Sequence, residues 1–241
     1  VRFEGLQQTP SPTALLLADG TRIDEVWVHV GGFGLRPRGQ CGTAARPAGD
    51  NRLAVDLLAM ENQPVATLPG RTVGDYCGLD FELFPVPASQ LPEGAPAALA
   101  DHSILLRGQR DDGVAFEVRA SLEKNLALTR HGTGFTLAER DRRFLLSFAM
   151  EQWIDESELR DITGEDPIVI SENTHTDLFD HFSDALDESV LLLRDADGNG
   201  ASDPSERQRI LASTIPDEDR KSPSESEEDA GHEEESEDAG E

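Results

Sequence analysis

The sequence predicts a mainly β chain of 241 residues: an antiparallel β-sandwich over residues 1–152, a small helical appendage over 153–215, and a disordered acidic tail over 216–241. Three observations carry this prediction. Short runs of alternating apolar and polar residues recur to about residue 150, separated by turn signals and free of helical periods, as in stacked antiparallel sheets. Beyond Trp153 the apolar spacing lengthens to three and four, which is helical. After Ile215 the chain is mostly Ser, Glu, Asp, Gly and Pro, too polar to offset chain entropy by burial.

The first strand pair is residues 13–17 with Val26, Val28 and Val30, which alternate with Glu25, Trp27 and His29; Ala18-Asp19-Gly20-Thr21 turns between them. Gly31-Gly32-Phe33-Gly34 then opens a Pro/Gly/Arg-rich loop to about residue 51. Its G-x-G lacks a following helix, so it cannot cradle a phosphate. Residues 53–58 form the next strand, followed by the 68–77 segment and by Leu79, Phe81 and Leu83 in alternation. Asp111-Asp112-Gly113 is a hairpin signal between strands at 103–108 and 114–122. Strands at 126–129, 135–137 and 144–150 complete the sandwich.

The order of these elements resembles bacterial lipoprotein domains of unknown function with a transthyretin-like, immunoglobulin-related sandwich. The residues that carry the resemblance are Val55-Asp56-Leu57-Leu58, Leu68-Pro69-Gly70 leading to Tyr76, Gly113 to Val118, and Phe144-Leu145-Leu146-Ser147-Phe148. The chain departs from that pattern in its cysteine pair and in the wide spacing of Gly70 from Tyr76. The resemblance implies a secreted or surface-attached module and assigns no activity.

The helical part holds the most informative motif. Asp195, Asp197, Asn199, Asp203 and Glu206 fall at positions one, three, five, nine and twelve of a twelve-residue span, with Gly200 at six and the Ala201 carbonyl at seven. This spacing is similar to the EF-hand calcium loop. Ca²⁺ takes six to eight hard oxygen ligands, and alternate short acids wrap it while glycine permits the bend and the last Glu closes the site. Ser202 replaces the branched apolar residue that pairs two such loops, so the affinity expected is the weak extracellular kind. A solvated acidic turn is the alternative for the same residues. Phe179, Phe182, Leu186, Val190 and Leu193 predict one helix over 174–193 before the loop, and Pro204 opens a short helix within it. A faded copy of the loop spans Asp161 to Glu172, with Asp166 where glycine belongs. Loop, helix, loop, helix is an order that resembles EF-hands and dockerin modules.

Charge narrows the partners. The chain's net charge is −27, of which residues 217–241 supply −11 through thirteen acids against Arg220 and Lys221, leaving −16 elsewhere. Nucleic acid needs clustered positive charge and is excluded as a partner. Calcium is the expected one, with a protein or glycan partner left open. No apolar run approaches the roughly 18 residues of a membrane span, so membrane attachment is expected only through a lipid anchor lost with a signal before Val1. Cys41 and Cys77, both beside glycine, are read as a disulfide in an extracytoplasmic bacterial setting; two free thiols in a cytosolic protein are the alternative.

The chain is expected not to be an enzyme. It has no H-E-x-x-H, no G-x-S-x-G, no phosphate loop and no zinc spacing, and its six histidines are scattered. Asp80 and Glu82 share a strand face, but carboxylates are too abundant for that to mark a catalytic pair. The reading is a non-catalytic calcium-binding module, the alternative an accessory domain of a hydrolase or carbohydrate-active protein.

Overall fold

The computed structural model describes residues 2–5, 14–43, 52–59, 73–130, 134–138, 143–197, 204–207 and 209–214. The acidic tail lies outside them. The described chain is mainly β. Its strands are β1 (Arg2–Gly5), β2 (Leu15–Leu16), β3 (Arg22–Pro37), β4 (Leu53–Asp56), β5 (Gly74–Leu83), β6 (Ile104–Gln109), β7 (Ala115–Ala120), β8 (Lys124–Thr129), β9 (Phe135–Leu137), β10 (Phe144–Phe148), β11 (Ile168–Ile170), β12 (Val190–Arg194) and β13 (Ala212–Ser213). Three short helices accompany them: α1 (Glu156–Asp161), α2 (Thr176–Asp187) and α3 (Pro204–Arg207).

All thirteen strands belong to one hydrogen-bonded sheet in the order β1-β10-β12-β13-β8-β5-β3-β6-β7-β11, with β2 and β4 also on β3 and β9 on β5. The sheet is mixed, because β1 runs parallel to β10 and β11 parallel to β7. Its pivot is β3, which pairs with β6 through residues 22–28 and with β5 through residues 30–37. The expected Gly31–Gly34 loop is instead the middle of this strand. Gly32 sits at φ +62°, and the register with β5 shifts between Gly31 and Gly34. This is how a strand turns a corner and changes partner.

The sheet also curls over itself. Phe81 on β5 and Phe148 on β10 are four strand steps apart, ~19 Å in a flat sheet, yet their ring centroids lie 6.3 Å apart. An aromatic chain continues from Phe148 to Trp153 (6.1 Å) and Phe182 (5.6 Å), seating α2 on the same core. Trp153 is fully buried and its indole N–H donates to Ser189 Oγ at 2.8 Å, so the core's largest side chain leaves no unmet polar group.

The helix expected over 174–193 ends at Asp187, and Val190–Arg194 is the strand β12. Val190, Leu191, Leu192 and Leu193 are all buried, an unbroken apolar run suited to a strand covered on both faces. Leu191 and Leu193 pack with Leu145 on one side, while Val190 and Leu192 join the main core on the other. Residues 153–215 thus contribute β11, β12 and β13 to the sheet, beside α1 and α2.

Cys41 and Cys77 form a disulfide across 36 residues, tying the turn after β3 to β5. Beside it, Arg36 donates to the Leu128 and Cys41 carbonyls and lies 3.1 Å from the fully buried Asp80.

Candidate metal centre

β12 and β13 are antiparallel neighbours, with Leu191 opposite Ser213 and Leu192 opposite Ala212. The chain between them carries the twelve-residue acidic span, so the motif is mounted on a strand hairpin, with a strand before it where a helix was expected. Leu211 N–H donates to the Leu192 carbonyl at 2.8 Å, fixing the returning end.

Three of the six expected ligand residues come together. One carboxylate oxygen from each of Asp195, Asp197 and Glu206 lies within 4.8 Å of the others, and no other His/Cys/Asp/Glu group of this kind occurs among the described residues. Asn199, Ala201 and Asp203, with the glycine bend, lie outside the described residues. Asp195 follows the last residue of β12, and Glu206 stands on α3. Glu206 Oε1 accepts the Ala196 N–H at 2.6 Å, and its own carbonyl accepts the Arg209 N–H. This holds position twelve against position two, a tie not read from the sequence.

Asp195 and Glu206 are only 6% and 4% exposed, while Asp197 is exposed. Both Asp195 carboxylate oxygens are buried without a hydrogen-bond partner. Burying a carboxylate that way costs several kcal/mol, and each carboxylate pair at this spacing adds repulsion on the order of 1–3 kcal/mol. Arg194 donates to the Thr136 carbonyl at 3.3 Å, and the Arg207 charge acts on Glu151, whose carboxyl burial pushes up.

The faded loop does not gather its acids. Glu165 pairs with His175 Nε2 at 3.1 Å, Asp166 accepts the Ala115 N–H, Glu172 accepts the Ser121 N–H, and Ile168 is already in β11. Asp80, one of the two acids on a shared strand face, is an ion-pair partner of Arg36 inside the protein. Among the described residues the nearest approach to a nucleophile and base is Ser121 Oγ with His102 Nδ1 at 2.9 Å, on the surface. The same hydroxyl donates to the Asp101 carbonyl, and one proton cannot serve both.

No family model, curated protein or solved structure matches the chain. Among the described residues no helix is long and apolar enough to cross a membrane.

Proposed function

We propose that this protein is a non-catalytic, extracytoplasmic calcium-binding module. In this reading its bent sheet packs as a β-sandwich of the transthyretin-like kind, and Asp195, Asp197 and Glu206 hold Ca²⁺ together with Asn199, the Ala201 carbonyl and Asp203. The observation that carries it is the buried Asp195 carboxylate, unpartnered at both oxygens and within 4.8 Å of two further acids. A protein does not bury such a group at no gain, and a divalent cation removes both the desolvation cost and the repulsion. The disulfide supports an oxidising compartment. A resident calcium of weak affinity belongs to the same setting, where the ion is millimolar.

Calorimetry tests the reading. Titrating CaCl₂ into chelator-stripped protein gives a saturating heat with Kd on the order of 10⁻⁴–10⁻³ M. Absence of any heat at millimolar calcium would remove the metal from this account.

A further inference from the structure

Among the described residues the strand-to-strand path from β10 and β12 to β8 and β5 runs through β13 alone, and β13 is two residues long. A typical strand has five or six. Its junction with β8 is the single register pair Ser213–Thr129. Its junction with β12 is two register pairs, flanked by Leu211 N–H to the Leu192 carbonyl (2.8 Å), Thr214 N–H to the Val190 carbonyl (2.9 Å) and Val190 N–H to Thr214 Oγ1 (2.9 Å). A junction this short opens more easily than the six-pair ladders β5–β8 and β6–β7. β8 and β12 would each keep another partner, β5 and β10.

The acid cluster sits at the end of the same hairpin. Asp195 is the first residue beyond β12, and Glu206 stands six positions before Ala212 on the returning chain. Holding those two carboxylates together shortens the free chain leading into β13. Releasing them leaves like charges facing each other across its mouth.

We infer that cation binding at Asp195, Asp197 and Glu206 controls the seam β12–β13–β8, so that β13 stays seated in calcium and leaves the sheet first without it. This rests on the calcium reading above and adds what the site regulates. Departure of β13 uncovers Leu211 and Ala212, now 6% and 0% exposed, and bares facing edges on β12 and β8. β1, β10 and β12 then stay paired with one another, and β8, β5, β6, β7 and β11 stay joined through β3.

Amide hydrogen exchange on the full chain, in chelator and in CaCl₂, tests the inference. In chelator, Leu211, Thr214 and Val190 exchange faster than His29 and Ser103, whose amides are bonded to the Ser103 and Ala120 carbonyls. At calcium ten times its Kd, exchange at Leu211, Thr214 and Val190 slows about tenfold. If calorimetry shows binding but those three rates do not change, the seam inference fails and the calcium reading stands. The inference also fails if, in chelator, the three exchange no faster than His29 and Ser103. If no calcium heat is found, both fail together.

Discussion

Glu117, buried in the β6–β7 hairpin, receives Arg107 Nε at 2.6 Å and Arg119 on its other oxygen. Asp195, buried at the mouth of the β12–β13 hairpin, receives no hydrogen bond at either oxygen. The contrast continues outward. Arg107 reaches on to Glu25 on β3 at 2.9 Å, and at the tip of the same hairpin Arg110 binds Asp112 while donating to the Leu159, Arg160 and Ile162 carbonyls at the end of α1. The first hairpin satisfies its buried carboxylate with its own arginines; the second leaves the buried Asp195 carboxylate without a hydrogen bond. Arginine is not scarce, with nineteen in the chain, so shortage does not explain the bare carboxylate. The cation site proposed above would account for it.

The largest effect expected lies in the self-sufficient hairpin. Arg110→Met keeps the volume but strips three helix-end carbonyls and Asp112 of their donor, and should cost about 2–3 kcal/mol in urea unfolding, in calcium and in chelator alike. A calcium-dependent cost would mean that the hairpins are not independent. Next is Asp195→Asn in chelator. Replacing an unpaired buried charge by an amide should raise stability by about 1–2 kcal/mol and abolish the calcium response. A variant less stable than the parent in chelator would show that Asp195 has a protein partner after all.

Calcium itself comes third. At ten times Kd it should stabilise the parent by about 1.4 kcal/mol, and Glu206→Gln should lose most of that gain. The smallest effect is the pH dependence of Glu117. Burial alone would raise its carboxyl, but hydrogen bonds from Arg107 and Arg119 outweigh it and hold the group below its usual 4.5. The folded value is depressed, so the stabilisation is complete above pH 4.5 and is lost as pH falls through the folded value. The stability gap between parent and Glu117→Gln should therefore be full at pH 7 and shrink in acid below pH 4.5. A constant gap would sever Glu117 from its arginines.

Strand alternation was easily read. Val26, Val28 and Val30, the Asp112-Gly113 turn and the Phe144–Phe148 run all lie in elements near where the pattern places them. Three things were hidden. The Val190–Leu193 run fits a helix face and a doubly buried strand equally well, because a short apolar stretch carries no period to separate them. Glycines at 31, 32 and 34 read as a loop, whereas pairing of Gly31 and Gly34 with β5 keeps them in a strand. The two-residue β13 has no pattern at all. At the acid site, spacing brought out Asp195, Asp197 and Glu206, but burial of Asp195 depends on β12 being a strand, and so was not legible. Arg110 is likewise one arginine among many until α1 is placed against it.

The corner strand β3 has a consequence for how the gene can change. A one-residue insertion or deletion reverses every side chain beyond it on a strand. In β3 the error would fall on β6, β4 or β5 according to position, and β3 touches all three. Lineages of this chain should therefore vary in length between β5 and β6 long before they vary in length between Arg22 and Pro37.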